Sequence, residues 1–255
     1  MFNLINVKNN LETLCLNFLY TKKVDSDAFN SLNNLKALKH IELNCLEFSQ
    51  IFKIALPNLE IIDLEKCKTI YFNNDESSTK NLLHLELYDV DFKIICNSGI
   101  YNFYNIETLI IFDSIIDINY NSLEKLRVLE SNNIKMIENI MNYSTIEKLN
   151  CFSKIPLEDE QKLIKKILLN KTLKEIGLNF TEISTKELLE LNLINGKINT
   201  IILEIGKNNW DVTNFLKKFP NLKILMFRYI FNLESFTYIK NDDDICIDEI
   251  YFFSV

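Results

Sequence analysis

Glycine and proline are nearly missing, with four and three residues in a chain of 255. That scarcity excludes a Gly-rich phosphate loop, a dinucleotide-binding turn and a Pro-rich linker. Histidine occurs twice, at His40 and His84. No G-x-S-x-G, H-E-x-x-H or Walker sequence is present, so the catalytic signatures that spacing can reveal are absent and the reading is of a non-enzymatic protein without a cofactor. No run of about eighteen apolar residues exists, which predicts no membrane-spanning helix. A basic surplus is lacking too. The formal net charge is -7, which argues against unspecific nucleic-acid binding.

The six cysteines, Cys15, Cys45, Cys67, Cys96, Cys151 and Cys246, form no C-x-x-C pair. They read as small buried hydrophobes in a reducing compartment. The first residues, Met1 to Lys8, carry neither a long apolar run nor a cleavage site, which predicts no export signal and a cytoplasmic location. The sequons at Asn142, Asn170 and Asn179 are then chance matches in an Asn-rich chain. Hydrophobic content of 47% and charge of 25% are those of a folded soluble protein.

The chain is organised around Leu59-Glu60-Ile61-Ile62-Asp63-Leu64-Glu65-Lys66-Cys67. It reads L-x-x-I-x-L-x-x-C. Alternation over Ile62-Asp63-Leu64 is a short strand with one buried face. The spacing recurs at Leu11/Leu14/Leu16, Leu38/Ile41/Leu43, Leu82/Leu85/Leu87, Ile106/Leu109/Ile111 and Leu123/Leu126/Val128. It continues at Ile146/Leu149/Cys151, Leu173/Ile176/Leu178, Ile198/Ile201/Leu203, Leu222/Leu225/Phe227 and Ile247/Ile250/Phe252. That is about eleven copies at about 17 to 27 residues each, inside or near the range for repeats that stack into a solenoid.

These copies resemble the leucine-rich repeat family along essentially all of the chain. The resemblance implies an α/β solenoid: a horseshoe with parallel strands on a concave face and short helices or turns on the convex side. Residues 1–255 then form a single domain of about eleven repeats. It also implies a protein-binding concave face. In the family an Asn or Cys usually stands three positions after the last strand leucine. Here only Cys67 fits; the other copies carry Leu19, Leu46, Val90, Ser114, Ser131, Lys154, Thr181, Gly206, Ile230 and Val255.

Between the strands, Asp25 and Ser26 can cap a helix through Leu32, and Ser49 one over Ile51–Ala55. Met136–Met141 reads as a helical turn or two. Pro156 opens the clearest helix, with Leu163, Ile164, Ile167 and Leu168 as its inner stripe. Ser184 with Glu187 forms a capping box, and Asp211 can cap Val212–Phe219. Stretches 73–79 and 241–244 read as surface loops. No capping module flanks the repeats. Uncapped ends predict end-to-end self-association or a covering partner.

The outward strand positions are the candidate binding surface. Repeats two to four offer His40, Glu42, Asp63, Glu65, His84 and Glu86. The two histidines share one repeat position two strands apart, about 10 Å at their bases. That is wide for one metal, and no metal is expected. Repeats five to seven offer Ile110, Phe112, Leu129 and Phe152 beside Lys125, Arg127 and Lys148. Ile224, Met226, Arg228, Tyr251 and Phe253 follow near the end. The surface thus reads as acidic, then apolar, then basic. It suits a protein partner whose identity no motif encodes. The alternatives are a substrate-recognition arm of a larger assembly, of the ubiquitin-ligase adaptor type, and a metal-dependent module on His40, Asp63 and His84.

Overall fold

The computed structural model describes residues 10–25, 31–73, 80–90, 92–95, 102–114, 116–142, 145–152, 157–180, 193–205, 212–228 and 247–253. The helix expected from the Ser184/Glu187 capping box, the capping residues Ser26 and Asp211, and the loop at 241–244 lie outside these. The chain forms two compact units, Met1–Leu126 and Arg127–Val255.

In the first unit each repeat contributes a strand whose alternate residues are apolar. These strands are β1 (Thr13–Val24), β2 (His40–Ile54), β3 (Ile61–Glu65), β5 (His84–Tyr88) and β7 (Thr108–Phe112). They pair in parallel and in register: Leu14 with Ile41, Ile41 with Ile62, Ile62 with Leu85 and Leu85 with Leu109. The L-x-x-L-x-L positions of repeats two to five are the core, while Leu11, Leu14 and Leu16 of the first are only half-buried. Leu38, Ile41, Leu43, Leu59, Leu64, Leu82, Leu87, Ile106 and Ile111 are all fully or nearly fully buried.

A second parallel ladder runs through the far half of β2, then β4 (Lys68–Asn73) and β6 (Phe92–Ile95). Here the structure corrects the sequence reading. The segment Ile51–Ala55 is not a Ser49-capped helix; it continues β2 to Ile54. Its neighbours Thr69-Ile70-Tyr71-Phe72 and Phe92-Lys93-Ile94-Ile95 are rich in β-branched and aromatic residues, which fit a pleated surface better than a helix.

Between the two ladders the chain turns through a left-handed residue at one repeat position. Cys45 (φ 56), Lys66 (φ 50), Asp89 (φ 48) and Asp113 (φ 51) each stand two residues past the last strand leucine or isoleucine. The turned N–H groups join repeats: Lys66 donates to the Tyr88 carbonyl (2.7 Å) and Asp89 to the Phe112 carbonyl (3.0 Å).

The position three past the strand is filled more variously than the family pattern implies. Cys67 Sγ contacts the Leu43 carbonyl at 3.3 Å, which ties two repeats together. Ser114 does similar work: its hydroxyl donates to the Phe112 carbonyl and accepts from the Val90 N–H. Leu46 and Val90 are simply buried there.

A second side-chain ladder was not foreseen. Asn58, Asn81 and Asn105 each stand just before the first apolar residue of their motif. Each donates one repeat back, to the carbonyls of Lys36 (2.7 Å), Pro57 (3.0 Å) and Lys80 (2.6 Å).

The second unit repeats the scheme with β8 (Val128–Ser131), β9 (Lys148–Cys151), β10 (Glu175–Phe180), β11 (Thr200–Ile205), β12 (Ile224–Arg228) and β13 (Glu249–Phe253). Among the described residues its connections include the helices α1 (Ile134–Ile140), α2 (Leu157–Leu169) and α3 (Val212–Leu216). Asn133 caps α1 by accepting from the Met136 N–H at 3.1 Å. In α2 the stripe Leu163, Ile164, Ile167 and Leu168 is buried as its spacing predicts. The expected Val212–Phe219 helix is shorter, ending at Leu216, although Phe215 and Phe219 are both buried.

The sixth repeat lies three residues later than its sequence reading. Leu123 and Leu126 are buried, but so is Leu129, and Val128 is only half-buried. Val128 pairs with Lys148 and Leu129 with Leu149. The copy is therefore Leu126/Leu129/Ser131. Three leucines at spacing three spell the motif ambiguously, and the backbone pairing decides between them.

Candidate functional site

Register sets the outward residues of the first unit in three rows across neighbouring strands. The first is Thr13, His40, Ile61, His84 and Thr108. The second is Cys15, Glu42, Asp63, Glu86 and Ile110, and the third is Asn17, Asn44, Glu65, Tyr88 and Phe112.

The six residues expected from repeats two to four are therefore together. The two histidines, wide apart at their bases, lean onto one carboxylate. His40 Nε2 lies 3.1 Å from Asp63 Oδ2, and His84 Nε2 lies 3.2 Å from Asp63 Oδ1. His84 Nε2 also approaches Glu86 Oε2 at 3.3 Å. Asp63 Oδ1 is buried, and its approach to His84 at 3.2 Å is a close ion pair.

The carboxylates of Asp63 and then Glu86 raise the His84 pKa to about 9, against the opposing effect of burial. Burial would raise the Asp63 pKa, but the two imidazoles outweigh it and hold the carboxyl below its ordinary range. Around this pair, Asn17 donates to Glu42 (3.1 Å) and Asn44 to Glu65 (2.8 Å). Glu42, Asn44, Asp63, Glu65, Glu86 and Tyr88 line one open depression of about 330 Å³.

Ile110 is half-buried beside Glu86 in the second row. Phe112 stacks on Tyr88 with ring centroids 5.0 Å apart and planes within 3°. Tyr88 was missed in the sequence, although counting two residues on from Glu86 reaches it. Cys15 is exposed rather than a core residue. Its thiol pKa is raised by desolvation and by Glu42. Cys45, Cys67 and Cys151 are buried and, among the described residues, form no disulfide, while Cys96 and Cys246 lie outside the described residues.

The expected basic end is not assembled. The three-residue register shift takes Lys125 and Arg127 off the strand face and into the turn before β8. There Lys125 reaches Asn105 Oδ1 at 2.6 Å. Leu129, read as an outward residue, belongs to the core. Lys148 does face outward in the second unit, but it is paired with Glu130 (3.6 Å) and Glu175 (3.1 Å). Phe152 is half-buried, and the Arg228 guanidinium lies 4.9 Å from its ring centroid. Near the end, Tyr251 and Phe253 are exposed, as are Ile250 (44%) and Phe252 (53%), which the motif placed inside.

Each unit is an open stack of parallel strands built on a recurring L-x-x-L-x-L spacing, a fold of the class seen in leucine-rich-repeat-like solenoids. No protein-family model matches the sequence, and no curated protein matches it. Eleven solved chains do. One is a plant peptide hormone receptor, RGFR1 in complex with RGF2, at 16% identity and a TM-score of 0.39. The match covers 95% of this chain and 37% of the receptor chain, so the protein spans little more than a third of that neighbour. No helix among the described residues is long and apolar enough to cross a membrane.

Proposed function

We propose that the protein is a non-enzymatic leucine-rich repeat scaffold that binds a protein partner on the strand face of its first unit. One observation carries this reading. Four carboxylates, those of Glu42, Asp63, Glu65 and Glu86, line a single depression closed on one side by Tyr88, which itself stacks on Phe112. An acidic floor beside a flat aromatic pair suits a Lys- or Arg-bearing segment of a partner. The aromatic pair supplies contact area, while the carboxylates steer association and select charge. A role as the recognition arm of a larger assembly is the same binding act with another chain supplying any chemistry. Buried thiols with no disulfide among the described residues are in keeping with a reducing compartment, the cytoplasm.

The test is a panel of immobilised Lys/Arg-rich and Asp/Glu-rich peptides. Wild type is compared with Glu42→Lys/Glu86→Lys, with Tyr88→Ala/Phe112→Ala and with the exposed control Lys165→Glu on α2. The expected result is selective retention of basic peptides, lost in both strand-face variants and kept in the control. Equal retention of acidic peptides, or loss in the control alone, contradicts the reading.

A further inference from the structure

We propose that Asp63, His84 and Glu86 form a binding site for a divalent first-row metal ion of the zinc class, with His40 positioning the Asp63 carboxylate. The proposal does not depend on the partner-binding reading above. Among the described residues this is a set whose ligand atoms, one from each residue, all lie within 4.8 Å of one another. It mixes one imidazole with two carboxylates, a donor set that borderline divalent ions accept.

The geometry goes further than proximity. Zinc–ligand bonds of about 2.0–2.1 Å in a tetrahedron put neighbouring donor atoms about 3.3 Å apart. His84 Nε2 stands 3.2 Å from Asp63 Oδ1 and 3.3 Å from Glu86 Oε2. Two edges of a coordination tetrahedron are therefore already in place, and the third, between Asp63 and Glu86, is within 4.8 Å. The backbone fixes them. Asp63 and Glu86 are directly paired residues on adjacent strands, and His84 lies two residues before Glu86 on the same face.

The two oxygens of Asp63 are also divided in role. Oδ2 is held by His40 at 3.1 Å. Oδ1, 3.2 Å from His84 Nε2, is buried and has no aligned hydrogen-bond donor. An oriented carboxylate with one oxygen engaged by a neighbouring imidazole and the other turned toward a second possible ligand, His84, matches the way outer-sphere partners set a ligand. Two of the three ligands, Asp63 and Glu86, also line the neighbouring open depression, the side from which an ion and a completing water would enter. The remaining carboxylates, Glu42 and Glu65, add favourable potential for a cation.

The experiment is calorimetric titration of the chelator-stripped full chain with Zn²⁺, in a Cys15→Ser background that removes the exposed thiol beside Glu42. One ion per chain is expected. Asp63→Asn, His84→Gln and Glu86→Gln are each expected to lower affinity by about tenfold or more. His40→Ala should weaken binding while leaving one ion per chain, and His40→Gln should restore part of the loss. Co²⁺ in place of Zn²⁺ should give visible absorption without a thiolate-to-metal band. Melting curves in chelator separate ligand loss from unfolding, and Glu86→Gln, at the half-exposed edge, carries the test if Asp63→Asn does not fold. No saturable Zn²⁺ binding, equal binding in all three ligand variants, or a thiolate band with Co²⁺ overturns the proposal.

Discussion

Gly177 lies beneath the ring of Phe152: a Cβ built on Gly177 would stand 2.6 Å from the tip of that ring and closer still to Asn150 Oδ1. The missing side chain is what lets Phe152 lie across the strand face of the second unit, with Arg228 over it. Gly177→Ala should therefore destabilise the protein by about 1–3 kcal/mol through overpacking. Phe152→Ala in the same chain should recover part of that loss. Urea denaturation of the two single variants and the double variant measures the coupling. A neutral Gly177→Ala would mean that the ring does not rest there.

The corrected register of the sixth repeat is open to a direct check. Leu129 is wholly buried and Val128 is not. Leu129→Ala should cost about 2–5 kcal/mol, whereas Val128→Ala should cost under about 1 kcal/mol. If the larger loss fell on Val128, the Leu123/Leu126/Val128 copy would be the real one.

Lys66 occupies a left-handed corner at φ 50, where a side chain with a Cβ is strained by about 1–2 kcal/mol. The equivalent corners at Asp89 and Asp113 use a residue that tolerates this region. Lys66→Asn should raise stability by roughly 0.5–1 kcal/mol. The exposed pair with Glu65 that it removes contributes little. A fall in melting temperature would show that the corner is not under strain.

His84 gives a pH signature in the metal-free protein. Its folded pKa of about 9 stands above the ordinary 6.5, so the folded state holds the proton more tightly than the unfolded chain. The resulting stability is fully present below pH 6.5 and is lost as pH rises toward 9. With chelator present, unfolding free energy should fall by roughly 2–3 kcal/mol across that window. His84→Gln should flatten the slope, and an unchanged slope in that variant would reject the assignment.

The fold was legible because burial repeats. Ile41, Ile62, Leu85 and Leu109 hold one place in a ladder, and period-two alternation marks each of them. Two things resisted reading. At Leu123, Leu126 and Leu129 the same spacing fits two registers, and only hydrogen bonding to the next strand separates them. At Ile51–Ile54 a short apolar run has no decisive period, and parallel pairing with β4 settles it as strand. The asparagine ladder at Asn58, Asn81 and Asn105 was visible as a residue recurring before the first leucine. Its purpose was not, because it serves a carbonyl one repeat away. Of the site, the acidic and histidine rows were legible by counting. Their convergence on Asp63 depends on side-chain lean, which spacing does not encode.

The asparagine bonds also bear on how the chain folds. They join residues 22, 24 and 25 apart in sequence, so each new turn of the first unit is fastened only to the turn before it. The chain segment closed at each step is nearly constant, and its entropic cost is nearly constant too. The costly event is the first docking of two turns; later ones add to a template already formed. Folding of this unit is then growth from a seed, and a defect such as Asn81→Leu should slow extension past one turn without hindering the seed on either side.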